Sequence, residues 1–350
     1  MKVKCELCGK EYNIPDERIP PDRTISFPCP ACKKGVINIT LRSEGIDVSS
    51  PVERPRKKGP SIDVDRDLPT GDVLKKIILN RLTELPPMPQ VMFKAREIMN
   101  DPASGFRALA EILEKDQAMA TRVLRLSNSA YYGLAGKVTS VQHAAVLLGY
   151  KTVGEVVAMA ISSKLLGESL EGYRMNSGDL WKHSLAVAIA SRLIAGKRNK
   201  DLENDAFSAG LIHDAGKIIL NRYVFERRSA FEEYMSDKSR SFLDAEKEIL
   251  GFDHAEIAAE MCNVWKIPKS LTAAISFHHY PAQSNGNVLA AIVHVADSLS
   301  LMSGIGSGVD GMLYRMDHRA QESLGLSEDD LRDILDETVE SVDKITEQMN

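Results

Sequence analysis

The chain has 350 residues, of which 43% are hydrophobic and 27% are charged, and its formal net charge at pH 7 is −5. This length predicts two or three structural units with a sizeable buried core, and the negative balance argues against bulk electrostatic binding of nucleic acid. No apolar run approaches the roughly 18 residues of a transmembrane helix, so we expect no membrane insertion. The first residues lack the hydrophobic segment of a secretory signal, which favours a cytoplasmic location.

Four of the five cysteines form two Cys-x2-Cys pairs near the N-terminus, Cys5 with Cys8 and Cys29 with Cys32. Two matched pairs are typical of a structural zinc site, whose metal supplies the folding energy that so short a segment lacks. The alternatives are a thioredoxin-like redox pair, for which there is no βαβ pattern, and a secreted disulfide framework, for which there is no signal. The segment also resembles the zinc-ribbon finger at the N-terminus of many bacterial proteins. We therefore predict a small β zinc ribbon over residues 1–42.

The next segment, residues 43–69, mixes proline, serine, glycine and charge without apolar periodicity, which predicts a flexible linker. From Thr70 onward, apolar residues recur at helical spacing and no segment alternates with the period of a strand. The helices expected in the first half of this region are 73–82, 90–100, 106–115, 119–127, 141–148 and 153–166. The chain is therefore predicted to be mainly α. Its helical body would cover 70–303, in two parts that meet near residue 170, and a helical extension would cover 304–350.

The segment Leu211–Lys217, with the sequence Leu-Ile-His-Asp-Ala-Gly-Lys, has the strongest chemical signal of the helical body. His213 lies on the stripe of small, core-facing residues of the preceding helical segment. Asp214 would lie about 100° further round an ideal helix, so the helix should end or distort here, which Gly216 permits. Lys217 could return to the face of His213. A buried polar pair, with Asp214 bridged to Lys217, is the alternative to a functional site.

Other histidines and an aspartate lie in the same way on the apolar stripes of their own segments, namely His183, His254, His278 and Asp297. A lone histidine of this kind is usually a core residue with a satisfied hydrogen bond. Buried imidazoles and carboxylates must be paired or bound to something. Four such histidines and two aspartates, counted with His213 and Asp214, are more simply explained by one shared metal centre.

The order of these residues resembles the HD superfamily of metal-dependent phosphohydrolases, and most closely its HDOD branch. The resemblance rests on the segments Trp181–Ser184, Leu211–Lys217, Asp253–His254, Trp265–Pro268 and Ala274–His279 and, upstream, on Leu85–Pro89, Lys115–Asp116, Leu126–Tyr132 and Leu148–Gly149. It covers roughly residues 70 to 300 and implies an all-helical fold. HDOD modules as a family are mostly regarded as signalling or regulatory parts.

The resemblance also implies a ligand set. One ion would be held by His183, His213, Asp214 and Asp297, and Asp214 could bridge to a second ion held by His254, His278 and His279. Imidazole and carboxylate ligands suit iron, manganese or zinc. Two such ions can clamp a phosphate ester and activate water, and Lys217 would then steady a phosphoryl oxygen, so Asp214 and Lys217 are the catalytic candidates if the site is active.

One departure from related enzymes bears on activity. The HD-GYP phosphodiesterases that degrade cyclic di-GMP have glutamate after the paired histidines and then a Gly-Tyr-Pro loop, whereas this chain continues as Tyr280-Pro-Ala-Gln. This difference argues against hydrolysis of cyclic dinucleotides and leaves metal binding unaffected. We predict a bacterial signal-transduction protein whose HDOD module binds a regulatory protein or a nucleotide. The alternatives are an active metal-dependent phosphohydrolase or phosphodiesterase, and a scaffold that contacts nucleic acid through the ribbon.

The remaining segments are given structural interpretations. We expect Asn128–Gly133 to provide a helix cap and buried tyrosines, and the charges of residues 222–250 to form a solvated face. Asp253 is placed to cap the helix that carries His254, and Cys262 should be buried. Ser327 should begin a C-terminal helix whose apolar stripe either packs on the body or pairs with another subunit.

Overall fold

The computed structural model describes residues 68–82 and 116–349 with gaps at 238, 307, 310–315 and 348, together with four short strands and a few single positions earlier in the chain. The predicted linker at 43–69 and the predicted helices at 90–100 and 106–115 thus lie almost entirely outside the described residues. The chain divides into a unit of residues 1–62 and a unit of residues 63–350.

The N-terminal unit contains two antiparallel hairpins. Strand β1 (Lys2–Lys4) pairs with β2 (Glu11–Asn13), and β3 (Thr24–Pro28) pairs with β4 (Val36–Thr40). By sequence, one cysteine pair falls in the connection of each hairpin. The cysteines themselves lie outside the described residues, so the zinc ribbon remains a prediction.

The second unit is helical, as predicted. The helices that the structure describes in it are α1 (Gly71–Leu82), α2 (Gln117–Ser127), α3 (Val141–Leu148), α4 (Tyr150–Leu165), α5 (Asp179–Arg198), α6 (Glu203–Ile212), α7 (Gly216–Glu226), α8 (Arg228–Tyr234), α9 (Phe242–Leu250), α10 (His254–Val264), α11 (Lys269–Ser276), α12 (Val288–Met302), α13 (His318–Leu324) and α14 (Glu328–Thr346). Short 3-10 turns lie at 130–132, 171–173, 200–202 and 281–283. Among its described residues, no helix is both long enough and apolar enough to span a bilayer.

Local capping signals account for several helix starts. Asp116 accepts a hydrogen bond from the Met119 backbone, so α2 begins two residues before the predicted 119. Helix α3 has the predicted bounds. Gly149 separates it from α4 with a φ of +82°, a conformation that glycine adopts readily, and α4 can therefore begin at Tyr150 and not at the predicted 153.

Helices α5, α6 and α12 form the centre of the fold. Residues 184–191 of α5 are buried on every face, as expected of a helix surrounded by others. Helix α6 approaches α5 closely at Gly210, where an added Cβ would lie 2.8 Å from the Ala188 Cα. Helix α12 also packs on α5. This packing brings His183 of α5 near Asp297 of α12.

The interpretation of residues 222–250 as a solvated face is wrong for two charged side chains. Arg227 is buried and donates hydrogen bonds to the Tyr223 carbonyl at 3.0 Å and the Pro69 carbonyl at 2.6 Å. Glu246 is completely buried. The other acidic and basic groups that the structure describes in this range lie nearer the solvent, and Arg222, for example, pairs with Glu226 at 2.6 Å.

The C-terminal helix α14 begins after Ser327, which forms the predicted cap through reciprocal hydrogen bonds with Asp330. Its apolar residues Ile334, Val342 and Ile345 are buried, and the helix packs against α5 and the 3-10 turn at 130–132. The apolar stripe therefore packs on the body of the same chain, which was one of the two arrangements expected for it.

Candidate metal centre

The seven predicted ligands of the helical body lie together in one place. His183 comes from α5, His213 and Asp214 from the junction of α6 and α7, His254 from the start of α10, and Asp297 from α12. His278 and His279 follow α11. His279 is partly buried and the other six are at most 2% exposed. Their nitrogen and oxygen atoms form three groups, each with all members within 4.8 Å of one another.

Asp214 lies between two of these groups. Its Oδ2 is 3.7 Å from His183 Nε2 and 3.5 Å from His213 Nε2, whereas its Oδ1 is 3.1 Å from His254 Nε2 and 3.8 Å from His278 Nε2. The two carboxylate oxygens thus face different sets of histidines. This is the position that the resemblance implied for a bridging ligand.

Further short contacts join Asp297, His279 and Lys217 to the same cluster. His183 Nε2 lies 3.0 Å from Asp297 Oδ1, and His254 Nε2 lies 2.8 Å from His279 Nε2. Lys217 Nζ lies 2.8 Å from Asp214 Oδ2. The salt bridge considered as the alternative to a functional site is therefore present, but inside a cluster of histidines.

The helix ends at this site as predicted, although Gly216 acts differently from expectation. Helix α6 ends at Ile212, residues 213–215 form a turn, and α7 begins at Gly216. Gly216 does not have a positive φ. Its importance lies in close packing, because an added Cβ would lie 2.0 Å from the His254 carbonyl oxygen. The absence of a side chain lets the start of α7 meet the start of α10.

Hydrogen bonds to acceptors fix the tautomers of three histidines. The Nδ1 of His213 lies 2.8 Å from the Gly210 carbonyl, that of His278 lies 2.7 Å from the Ile275 carbonyl, and that of His254 lies 2.7 Å from the Glu246 carboxylate. A carbonyl or carboxylate oxygen only accepts, so each Nδ1 carries a hydrogen. In the neutral ring, Nε2 then presents its lone pair to the cluster.

This arrangement fits a divalent cation. Metal-bound histidines usually donate their second N–H to a carbonyl or carboxylate in this way. The buried His213 Nε2 has no hydrogen-bond partner, and neither does Asp214 Oδ1 by strict hydrogen-bond geometry. Imidazole nitrogens and carboxylate oxygens together suit zinc, manganese or iron.

Glu246 of α9 is a residue of the site that the sequence analysis missed. Its Oε1 accepts a hydrogen bond from the Tyr173 hydroxyl at 2.5 Å, and its Oε2 accepts from the His254 backbone N–H at 2.9 Å as well as from Nδ1. Glu246 lies four residues after Phe242 and four before Leu250, both buried. An acidic residue on an apolar stripe is the same signal that identified the ligands, and it could have revealed Glu246.

The charges of the ion-free cluster are mutually dependent. Burial disfavours ionisation of Asp214, but the neighbouring His213, Lys217 and His254 hold its pKa well below the usual range. Burial also opposes protonation of His254, but Glu246 and Asp214 hold its pKa well above the ordinary value. Burial beside His213 lowers the pKa of His278 to about 3. The ion-free cluster thus contains charged groups around Asp214 together with the neutral imidazole of His278.

Access to the cluster is narrow. The cavity beside it has a volume of about 20 Å³, and its apolar lining consists of Met235, Phe242, Leu243, Leu301 and Val309. A single water needs about 10 to 15 Å³ of such volume, so the chamber holds water-sized species only. A larger cavity, of about 270 Å³, lies between segment 281–291 and α13 but is lined by none of the seven predicted ligands.

A body of short helices around a buried histidine–aspartate cluster is the architecture expected of the HD class. The family model of the HDOD domain matches residues 85–281, more than half of the chain. The chain therefore belongs to the HDOD domain family, which confirms the predicted resemblance. The match ends before Asp297.

Individual relatives are distant. An uncharacterised protein of Treponema pallidum is 22% identical over 205 residues, which cover 58% of this chain and 39% of the relative. The chain thus spans about two fifths of the length of that relative.

Solved structures share the fold. An HDOD domain protein of unknown function from Geobacter sulfurreducens has a TM-score of 0.64 at 24% identity, covering 78% of this chain and 95% of that one. A Shewanella amazonensis protein named as a candidate phosphohydrolase has a TM-score of 0.60 at 24% identity, covering 78% and 98%. A Marinobacter aquaeolei protein named as a candidate signal transduction protein has a TM-score of 0.61 at 20% identity, covering 92% and 75%.

Proposed function

We propose that this chain is a cytoplasmic signal-transduction protein whose HDOD body holds a divalent metal centre and binds a regulatory protein or a nucleotide. The observation that carries the proposal is the set of imidazole nitrogens around Asp214 and Asp297, which lies beside a cavity of about 20 Å³. So small a chamber suits a protected ion better than an open active site. The Marinobacter aquaeolei relative named for signal transduction has the same fold.

The residues that would hold the metal form two sets, one on each side of Asp214. His183, His213 and Asp297 lie on one side, with His254, His278 and His279 on the other, and Asp214 would serve both. A bound divalent ion would supply positive charge and Lewis acidity at the carboxylates. Lys217 balances part of the charge of Asp214, and the apolar lining of the cavity excludes bulk water.

A metal-dependent phosphohydrolase is the second candidate. The observation in its favour is Lys217, whose ammonium group lines the same chamber 2.8 Å from Asp214 and has the charge needed to bind a phosphoryl oxygen. A phosphate ester would reach it only after Met235, Leu243 or Val309 had moved. This requirement places the enzyme second.

We assign the N-terminal unit a supporting role. Zinc held by Cys5, Cys8, Cys29 and Cys32 would stabilise a ribbon that provides a second contact with the partner, with nucleic acid as a less favoured target. Self-association through α14 is the weaker part of the proposal, because the apolar stripe of that helix already packs within the chain.

Metal analysis of the full chain tests the centre. Inductively coupled plasma mass spectrometry should find fewer ions per chain in Asp214→Asn than in the wild type, with the ribbon zinc retained. Asp253→Asn is the matched control, because Asp253 is also buried but caps α10, and asparagine caps equally well. An unchanged ion count in a folded Asp214→Asn protein would refute the assignment.

A turnover assay separates the two functions. Bis(p-nitrophenyl) phosphate and a panel of nucleotides should remain intact when the wild-type chain is loaded with manganese or iron. Turnover that disappears in His213→Ala would instead establish the phosphohydrolase.

A further inference from the structure

His294 is a buried histidine that contacts the cluster without belonging to it. It lies on α12 one turn before Asp297 and is 1% exposed. Its Nε2 lies 2.8 Å from the Asp317 backbone nitrogen, and its Nδ1 lies 2.7 Å from the His278 carbonyl oxygen. A backbone N–H only donates, so Nε2 accepts, and Nδ1 must donate to His278. Both nitrogens are therefore directed to backbone groups and away from the cluster.

The two bonds join two segments that lie on either side of α12 and pack on it. His278 follows the end of α11 at Ser276 and precedes the 3-10 turn at 281–283. Asp317 is the residue before α13, which it caps by accepting a hydrogen bond from the Arg319 backbone at 3.0 Å. His294 thus connects the segment that carries His278 and His279 with the start of α13.

We propose that His294 is a positioning residue of the metal centre, which holds the His278 carbonyl and so fixes the direction of the paired imidazoles. This inference rests on the proposed metal centre. It also makes α13 a support of the centre, although α13 lies beyond residues 85–281, where the family match ends. A change at α13 that weakens the hydrogen bond from the Asp317 N–H to His294 would therefore alter the position of His278 through the His294 ring.

The first test replaces the ring. His294→Phe keeps a planar side chain in the buried site and removes both hydrogen bonds. In the chelator-treated full chain we expect the dissociation constant for Mn²⁺ or Zn²⁺ to rise about 10- to 100-fold, as is typical when outer contacts of a metal ligand are lost. Amide hydrogen exchange should become faster in residues 276–281 and 316–324. His318→Phe is the matched control, because His318 is exposed beside Asp317.

The second test removes only the donor at the other end. Asp317 has a φ of −74°, which proline adopts, so Asp317→Pro deletes the N–H without a forced change in φ. Asp317→Ala loses the same capping carboxylate but keeps the N–H. We expect Asp317→Pro to bind metal about tenfold more weakly than Asp317→Ala.

The outcomes distinguish this inference from the function on which it rests. If the wild-type chain binds no ion in its helical body, the metal centre is wrong and the positioning role falls with it. If the wild type binds metal and a folded His294→Phe protein binds it equally well, His294 is an ordinary core residue. If His294→Phe does not fold, equal affinity of the two Asp317 variants refutes the inference.

Discussion

The contact between Glu246 and His254 provides the sharpest prediction about the centre. Glu246 has no exposed surface and accepts three hydrogen bonds, one from the Tyr173 hydroxyl and two from His254. In Glu246→Gln, the amide oxygen can take the place of Oε2 and its NH2 group can take the place of Oε1. The Tyr173 hydroxyl would then rotate and accept a hydrogen bond from this NH2 group. The substitution therefore preserves the geometry and removes the negative charge.

The expected losses follow from this geometry. A carboxylate behind a ligating histidine raises its basicity, and the loss of such a contact costs about 10- to 100-fold in metal affinity. We expect Glu246→Gln to lose about tenfold, or about 1.4 kcal/mol. Glu246→Ala deprives His254 and Tyr173 of an acceptor, so we expect about 100-fold, or about 2.8 kcal/mol.

Competition with a chromophoric chelator measures these affinities. Nitrogen-15 chemical shifts of His254 would report its tautomer in the same samples, and circular dichroism would confirm folding. Glu248→Gln, an exposed position on the same helix, should bind metal like the wild type. A folded Glu246→Ala protein with wild-type affinity would refute the reasoning. A larger loss of metal affinity in Glu246→Gln than in Glu246→Ala would show that the hydrogen bonds proposed for the glutamine amide are wrong.

Three further predictions concern packing, pH and thiol reactivity. Gly216→Ala should reduce the free energy of unfolding by about 1–3 kcal/mol, because its Cβ would collide with the His254 carbonyl; Gly136→Ala, with nothing within 4 Å, should leave urea unfolding unchanged. In ion-free protein, neighbouring carboxylates overcome the effect of burial and raise the pKa of His213 and His254 above 6.5. The stability that protonation of these two histidines contributes is therefore present below pH 6.5 and is lost as the pH rises through the raised pKa values. The free energy of unfolding should therefore fall above pH 6.5 in chelator-treated protein. In metal-loaded protein it should rise over the same pH range, because metal ligands must be deprotonated. The same dependence of unfolding free energy on pH in both samples would contradict this prediction. Burial raises the pKa of Cys262 to about 12, so mass mapping should find it unalkylated until urea unfolds the chain.

Local signals explain how much of the fold could be predicted. Asp253 and Ser327 were assigned as caps because a short polar side chain before an apolar run can satisfy the first backbone N–H groups of a helix. Both caps are present. The early start of α4 was missed, because the predicted helix began at 153 and the observed one begins at Tyr150, directly after Gly149. The backbone conformation of a single glycine depends on how the two flanking helices pack.

The proximity of the site residues could also be predicted, because His183, His254 and Asp297 lie on the buried stripes of their helices and the other four follow the end of such a stripe within three residues. Glu246 was missed since residues 222–250 were interpreted together as a solvated face, which hid one acidic residue at an apolar position. The apolar lining of the cavity could not be predicted at all. Met235, Leu243 and Val309 come from different segments, and only tertiary packing brings them into the lining of the same cavity as Asp214.

The balance of buried charge gives an independent reason to expect a cation. The seven predicted ligands and two residues that contact them, Glu246 and Lys217, include three buried carboxylates, those of Asp214, Asp297 and Glu246, and one buried ammonium group, that of Lys217. The excess of two negative charges is costly in a nearly dry interior unless it is compensated. Without an ion, protons on His213 and His254 provide the compensation, which is why their pKa values are raised. One divalent ion would supply the same two charges, so the cluster is poised to exchange protons for metal.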